Sequence, residues 1–456
     1  MNKKELNFIC PNGHLGFAPL KPDSFYLGVE EKPDYIVADS GSNDVGPMPL
    51  GTGTSVSPLA WQEHDLDHML RASRKIGATM IIGSAGDTGA NNRVDLYVDI
   101  IKKLAREHKL PKFNLGYFYS EVPQHYLIEK LQALEKIPGL DGRGDLSVDD
   151  VKRTDRIVAM AGVHPYIQLL EQGAEVIIGG RSSDCNVFAA PAIMHGFPEE
   201  LAYHLGKVME CASFCAEPYG AKETILGTIT HEDIKVKAMH PGQRCTIASV
   251  AGHAMYERSD PYFEYVAGGV LDMTNCKYEQ YDEKTCRITG PVFKPSEGVI
   301  YVKLEGAGRV GERYIGIAGV RDPYNIQNID RVIEWCREQV REKFGESGYQ
   351  LRFHIYGKNG VMGDLEPIKE IRSHELCIVV EGIAPTKEMA EEITITGTRQ
   401  IFYARLPEVK GTAGTAAFLV EEAMHASPSY EWTMNHIVPV KDPMELFEVH
   451  MTEAGI

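Results

Sequence analysis

The fold is decided by the stretch Gly173-Ala-Glu-Val-Ile-Ile-Gly-Gly-Arg-Ser-Ser-Asp184, in which an apolar strand leads directly into a Gly-Gly turn. The turn carries Arg181 and Asp184. In an open α/β sheet, polar side chains at the carboxyl ends of buried strands face the crevice where ligands bind. The stretch therefore predicts a buried strand and one edge of a functional site.

Residues 1–215 alternate short apolar runs with segments of helical periodicity, a pattern typical of βαβ units. Helices are predicted over 61–76, 93–108 and 165–172, the second of them with a clear apolar stripe at i, i+3 and i+4 spacing. The predicted strands are Leu6–Ile9, Tyr35–Ala38, Thr79–Ile82, Phe113–Phe118 and Glu175–Ile178. We expect an α/β domain with a mainly parallel, open sheet that carries the functional site.

From about residue 222 the pattern changes, because strand-like segments follow one another before a long helix over 326–344 and a second helix near 386–396. We expect an α+β domain with a mostly antiparallel sheet over 222–456, and we place the domain boundary in 216–221. Residues 306–311 match the G-x-G-x-x-G pattern of nucleotide-binding loops. They join two strand-like segments instead of opening a helix, so a hairpin turn is predicted there.

The composition excludes several classes of protein. The 456 residues are 43% apolar and 24% charged, as in globular enzymes. The net charge of -17 is dispersed and basic patches are missing, so we expect no nucleic-acid partner. Nine scattered cysteines fit a reducing compartment, and neither a signal peptide nor a membrane-spanning run is recognisable. We expect a cytoplasmic homo-oligomer with no membrane partner.

Polar residues follow three of the predicted strands and should meet at one edge of a parallel sheet. They are Asp39, Ser40 and Asp44 after the second strand, Asp87 and Asn91 after the third, and Arg181, Ser182 and Asp184 after the fifth. We predict catalytic carboxylates at Asp39, Asp87 and Asp184, and substrate contacts from Arg181, Ser40, Ser182 and Asn91. The alternative is that these residues only cap turns and helices.

Two residues outside these strand ends are further candidate substrate contacts. His14 lies in the Gly-rich loop after the first strand, and Arg244 precedes a helix-like segment in the second half. An arginine at the start of a helix is well placed to bind an anion, and Arg244 could reach the crevice across a domain interface. A turn histidine and a structural interdomain arginine are the competing interpretations.

A divalent cation is a candidate cofactor, since Asp39, Asp44 and Asp87 supply the oxygen ligands that such ions prefer. His204, Cys211 and Cys215 share one helix face at i, i+7 and i+11 and could form part of a soft-metal site. Buried cysteines on an apolar helix face are the commoner interpretation of that spacing. The sequence alone leaves the cofactor unknown.

Several motifs together resemble the acyclic terpene utilisation AtuA family over residues 5–440. They are the stretch 173–184, Gly206-Lys-Val-Met-Glu-Cys211, His240-Pro-Gly242, Ser249-Val-Ala251, Leu304-Glu-Gly-Ala307 and Gly319-Val-Arg-Asp-Pro323. The resemblance implies a setting in terpene, organic-acid or acyl-CoA catabolism. It also implies a small ferredoxin-like AtuA-associated protein as a separate partner. The loop containing Asp87 departs from the Gly-Gly-Ala type common in the family, so the resemblance carries no role over to Asp87.

Three hypotheses on function remain open. The leading one is an enzyme acting on a small organic acid or an acyl-CoA by acid/base chemistry, as a lyase or hydratase, or as an isomerase. In it, Arg181 and Arg244 hold the substrate carboxylate or phosphate, and Asp39 or Asp184 acts as base or metal ligand. The second is a non-catalytic subunit or ligand-binding partner of the small AtuA-associated protein. The third is an enzyme of phosphoryl or glycosyl transfer.

Overall fold

The computed structural model describes residues 3–411, 413–420 and 422–456. The chain divides into two compact units, unit 1 (Met1–Gly308 with Trp432–Ile456) and unit 2 (Arg309–Glu431). The boundary predicted at 216–221 does not coincide with this division. Each unit is described below by itself.

The strands are numbered in chain order. They are β1 Glu5–Cys10, β2 Tyr35–Gly41, β3 Thr79–Asp87, β4 Phe113–Tyr119, β5 Arg156–Ala159, β6 Val176–Ile178, β7 Ala216–Glu217, β8 Ile225–Thr230, β9 Ile234–Ala238, β10 Arg244–Cys245, β11 Phe263–Val266, β12 Gly269–Asp272, β13 Lys277–Gln280, β14 Thr285–Thr289, β15 Val292–Pro295, β16 Ile300–Val320, β17 Gln350–Tyr356, β18 Leu376–Ala384, β19 Ala417–Phe418, β20 Met424–Val440 and β21 Glu448–Ala454.

The α-helices are numbered in the same way. They are α1 Pro22–Glu30, α2 Pro47–Thr52, α3 Leu59–Ile76, α4 Asn91–Glu107, α5 Gln124–Gln132, α6 Val148–Lys152, α7 His164–Glu171, α8 Asp184–Met194, α9 Glu199–Met209, α10 Ile247–Ala254, α11 Pro323–Gln327, α12 Ile329–Phe344 and α13 Lys387–Tyr403. Short 3₁₀ helices cover Asn43–Val45, Ala212–Cys215 and Gly363–Leu365. None of the helices in the described residues is long and apolar enough to cross a membrane.

Unit 1 is organised around a ten-stranded sheet in the order β13-β14-β9-β8-β1-β2-β3-β6-β4-β21. The five central strands from β1 to β4 run parallel, and the flanking strands pair antiparallel. The predicted fold class, an α/β parallel sheet followed by an antiparallel α+β part, is confirmed. Buried apolar runs explain the central strands, since helices cover both faces of a parallel sheet.

The two faces of this sheet bury different helices. Along β2, Ile36 and Ala38 pack in the core with α3 and α4, whereas Tyr35 and Val37 pack with α7, α8 and α9. Successive side chains of a strand point to opposite faces. The residues that follow Ala38 are therefore directed alternately to the two helical layers.

The predicted boundary falls inside unit 1 because the chain beyond it returns to the same sheet. β8 pairs antiparallel with β1 over its whole length, from Glu5 opposite Thr230 to Cys10 opposite Ile225. The hairpin predicted at 306–311 is wrong, because these residues lie within the single strand β16. Leu304–Ala307 pairs with β5, and Glu312–Val320 pairs with β18, so the strand continues through the glycines.

Unit 2 contains an antiparallel sheet in which the unit 2 part of β16 lies between β18 and β19, and β17 flanks β18. Helices α12 and α13 pack on it through an apolar core that includes Ile333, Cys336, Ile378 and Ile401. The helix predicted over 326–344 is present as α11 and α12, which are separated at Asn328.

Candidate active site

Arg181 is the centre of a buried charged cluster at the carboxyl edge of the unit 1 sheet. It follows β6, and only 4% of its surface is exposed. Its Nε donates to Glu305 Oε2 at 2.9 Å, and its Nη1 donates to Ser84 Oγ at 3.2 Å. Nη1 also reaches the Ser182 carbonyl and Asp184 Oδ1, and Nη2 donates to Asn43 Oδ1 at 3.4 Å. A guanidinium carries five N–H donors, so one Nη2 N–H remains for a ligand.

Glu305, from β16, is the counter-ion of Arg181 and is 3% exposed. Its Oε1 lies 3.0 Å from Lys303 Nζ and accepts a hydrogen bond of 3.0 Å from Asn43 Nδ2. Burial alone would raise the pKa of Glu305, but Arg181 and Lys303 outweigh burial and lower it to about 2. Sequence reasoning missed Glu305, although the residue lies in one of the motifs that carried the family resemblance.

Two glycines allow Arg181 to occupy this position. A Cβ on Gly41, at the end of β2, would lie 2.9 Å from Arg181 Nη1 and 2.4 Å from Ser84 Cβ. A Cβ on Gly89 would lie 2.1 Å from the Arg181 backbone nitrogen, and Gly89 has a φ of +65°. Any side chain at either position would displace the arginine, so the cluster depends on backbone that approaches without side chains.

Asp39 and Asp184 form an acidic pair beside Arg181. Asp39 is 2% exposed, its Oδ2 accepts the Gly41 N–H at 2.7 Å, and hydrogen bonds from Gly41 and Ser84 partly offset the rise in its pKa. Burial and the Asp184 charge raise the pKa of Asp39 to about 8. Asp184, at the start of α8, has a side chain that is 42% exposed, and burial and Glu305 raise its pKa as well. Asp39 is therefore the buried, protonated acid of the pair, and Asp184 is its more accessible carboxyl group.

A second ion pair borders the acidic pair from α9. Lys207 Nζ lies 2.5 Å from Glu210 Oε1 and 3.8 Å from Glu264 Oε2, and both Lys207 and Glu210 are buried. Burial and Asp184 raise the pKa of Glu210 to about 8, although Lys207 opposes the shift. Lys207 in turn favours the charged form of Asp184. Sequence reasoning missed this pair, although both residues lie in the motif 206–211 that carried the family resemblance.

Asp87 and His14 lie together, as predicted for neighbouring loops, but their contacts differ from those of Arg181. Asp87 Oδ1 accepts Ser57 Oγ at 2.6 Å and lies 3.1 Å from His14 Nε2. Its Oδ2 accepts Ser55 Oγ at 2.6 Å and the N–H groups of Val56 and Ser57. Burial alone would raise the pKa of Asp87, but these hydrogen bonds hold it below its usual range. Asp87 thus holds the 55–57 loop in place, and its two oxygens can accept few further hydrogen bonds from a substrate.

The remaining predicted contacts are used within the protein. The Ser40 hydroxyl bonds Tyr97 of α4 at 2.9 Å, because Ser40 faces the helical layer opposite to that of Asp39. The Ser182 hydroxyl bonds Tyr166 at 2.7 Å. Asn91 Oδ1 accepts the N–H groups of Ser120 and Glu121 at 3.2 Å each. These residues support the loops around Arg181.

Arg244 and Asp44 have other surroundings. The Arg244 side chain is 60% exposed and pairs with Glu217 at 3.2 Å. It lines a separate surface cavity of about 510 Å³ together with Gln243 and Lys284. Asp44 is exposed in the 3₁₀ helix after β2, where its N–H is bonded by Ser42. Neither residue has a described contact with Arg181.

The chain was then compared with known proteins. The sequence profile of the acyclic terpene utilisation family protein AtuA matches residues 10–437, nearly the whole chain. The chain belongs to the AtuA family. No match to this chain was found among curated proteins or among solved structures. Membership connects the chain with acyclic terpene utilisation and confirms the resemblance seen in the sequence.

The AtuA match includes every residue of the charged cluster, from Asp39 to Glu305. Within the described residues, this AtuA chain has no group of three or more His, Cys, Asp or Glu side chains that could hold a metal ion. The predicted sets do not converge: Asp87 is saturated by hydrogen bonds, Asp44 is exposed, and Asp39 is buried beside Arg181. Likewise His204 faces Tyr278, and the Cys215 thiol donates to the Val208 carbonyl. Within the described residues neither predicted set forms such a group, and the divalent-cation and soft-metal hypotheses stay predictions.

Proposed function

We propose that the protein is an enzyme of acyclic terpene utilisation that acts on a small organic acid or an acyl-CoA by proton transfer, as in hydration, dehydration or isomerisation. The observation that supports this proposal is Asp39, a carboxyl group buried beside Asp184, with a pKa of about 8. Such a group is protonated at neutral pH and can act as a general acid.

The second carboxyl group supplies the base. In a dehydration, Asp184 would take a proton from a substrate carbon, Asp39 would protonate the departing hydroxyl group, and water would leave. The hydration is the reverse of this step. Paired carboxyl groups whose environments separate their protonation states are suited to such complementary roles.

Arg181 is proposed here as a positioning residue. Nearly all of its donors are used by Glu305, Ser84 and neighbouring groups, so it has one N–H left rather than a free fork for a substrate carboxylate. Its charge lowers the pKa of both Asp39 and Asp184, against burial. The arginine would therefore keep the pKa values of the two carboxyl groups close to neutral pH. A group with such a pKa can both donate and accept a proton effectively.

Hydrogen exchange tests this chemistry without a known product. The purified chain is incubated in D₂O with branched short-chain hydroxy acids and their CoA esters, and loss of substrate C–H signals is followed by proton NMR. We expect either the hydroxy acids or their CoA esters to exchange a carbon-bound hydrogen for deuterium. Asp184→Asn should slow exchange at least about 100-fold, and Asp39→Asn should slow water elimination to a similar extent.

Asp44→Asn is the matched control, because Asp44 follows the same strand but is exposed and makes no contact with the cluster. It should leave the exchange rate unchanged. Full activity in Asp39→Asn and Asp184→Asn would overturn the proposal. If no compound exchanges and only a small AtuA-associated protein raises the melting temperature, the hypothesis of a non-catalytic subunit would replace it.

A further inference from the structure

Unit 2 contains a cavity of about 540 Å³ whose lining includes no residue of the charged cluster. It is bordered by the residues that end β16 and begin α11, and by residues 409, 411 and 413–417. Cavities of this size accommodate small organic ligands in other proteins. The motif Gly319-Val-Arg-Asp-Pro323, which has no part in the proposed proton transfer, forms one side of it.

A buried donor without a partner lines this cavity. Asn325 is 3% exposed, and its backbone N–H donates to Asp322 Oδ1 at 2.8 Å. Its side-chain Nδ2 is buried and has no hydrogen-bond partner among the described residues. Leaving a buried amide donor unsatisfied costs roughly 1–3 kcal/mol, so such a group indicates a missing acceptor.

A cation without a counter-ion lines the same cavity. Arg321 is exposed, and within residues 3–411, 413–420 and 422–456 its guanidinium makes no hydrogen bond or ion pair. Tyr324, with 40% of its surface exposed, lies beside it on the cavity wall. An open guanidinium fork suits the oxygens of a phosphate group, and an exposed ring offers a surface for stacking.

The lining also includes residues with unpaired backbone donors. They are small residues that include Gly411, Ala413 and Gly414. No backbone carbonyl in the described part of the chain accepts the N–H groups of these three residues. Free amides in a small-residue segment are a common setting for phosphate oxygens, which accept from several directions at once.

We propose that this cavity binds the phosphate group of a small organic ligand. Arg321 and the Asn325 amide hold the phosphate oxygens, the N–H groups of Gly411, Ala413 and Gly414 complete the shell, and Tyr324 contacts the organic part. The site is independent of the proposed proton transfer, because all of its residues lie in unit 2.

The test uses the full chain and four probes: inorganic phosphate, ADP, coenzyme A and citrate. Binding is measured by titration calorimetry. We expect ADP or coenzyme A to bind and inorganic phosphate to compete with it, whereas citrate should not compete. Arg321→Gln should weaken binding by at least about tenfold, since it removes the charged fork.

Arg372→Gln is the matched control, because Arg372 is an exposed arginine of unit 2 that pairs with Glu370. It should leave affinity within about twofold of the wild type. Asn325→Asp adds a negative charge where a donor is needed and should abolish binding in a chain that circular dichroism shows to be folded. The proposal is overturned if no phosphate compound binds, if citrate competes equally well, or if Arg321→Gln binds like the wild type.

Discussion

Two arginines, one in each unit, differ in burial and in the number of their hydrogen-bond partners. Arg181 in unit 1 is buried and bonded by Glu305, Ser84 and Asn43. Arg321 in unit 2 is exposed at a cavity and has no partner in the described residues. A buried guanidinium must be compensated within the protein, whereas an exposed one can remain unpaired in water until a ligand arrives.

The difference separates two ways of using positive charge. The charge of Arg181 acts on groups that are already in place, and it shifts the pKa of Asp39, Asp184 and Glu305. The guanidinium of Arg321 has no hydrogen-bond or ion-pair partner in the described residues and remains available to a ligand. Stability should therefore depend strongly on the surroundings of Arg181 and hardly at all on Arg321.

Glu305→Gln should give the largest effect on stability, because it leaves Arg181 buried without its main counter-ion. Breaking one side of a buried ion pair costs about 3–5 kcal/mol. Since the pKa of Glu305 is lowered to about 2, its contribution is present above about pH 4.5 and is lost as the pH falls towards 2. The free energy of unfolding in urea at pH 7 measures the effect.

Glu453→Gln is the control for that measurement. Glu453 pairs with Lys112 at 3.5 Å, and the two side chains are 68% and 66% exposed. An exposed pair contributes only about 0–1 kcal/mol. Equal losses in the two variants would contradict the distinction between buried and exposed charge.

Asp39→Asn should give an intermediate effect that depends on pH. The folded-state pKa of about 8 lies above the value of about 4 for an unfolded aspartate, so the folded protein binds more protons between these limits. Folding stability should therefore fall as the pH rises from about 4 to about 8, by roughly 1.4 kcal/mol per unit of pKa shift at most.

The asparagine variant cannot ionise, so its stability should change less over this range. Urea unfolding of both proteins at pH 5, 6, 7 and 8 gives the comparison. Two parallel pH profiles would show that Asp39 is already ionised at neutral pH and would remove it as a general acid.

Arg321→Gln should give the smallest effect. An exposed side chain without a partner contributes less than about 0.5 kcal/mol to folding. The melting temperature without ligand should match that of the wild type, while phosphate-ligand affinity falls. A clear loss of stability would mean that Arg321 has a structural role, and the contrast with Arg181 would disappear.

Much of the unit 1 sheet could be predicted from the sequence. The five predicted strands correspond to β1, β2, β3, β4 and β6, because strands buried on both faces appear as continuous apolar runs. Their shared carboxyl edge brings Asp39, Arg181 and Asp184 together as expected. The period of two along β2 also explains why Ser40 is directed away from them.

What could not be predicted depends on contacts distant in sequence. Arg181 and Glu305 are 124 residues apart, and no local pattern links them. The return of β8 to the edge of β1 likewise has no signal in periodicity, so the predicted domain boundary lies within unit 1. By local propensity alone, the glycines at 306–311 predict a turn. Pairing with β5 and with β18, which no local pattern indicates, extends β16 through these residues instead.

The close approach of Gly41 and Gly89 to Arg181 has a consequence for how this protein can vary. Neither glycine carries a functional group, yet a substitution scan should find both as intolerant as the charged residues themselves. A substitution of either glycine would displace the side chain at position 181. We therefore expect the residues at the three positions to be substituted together or not at all. Transplanting this cluster into another scaffold would therefore require its two glycine turns as well as its charges.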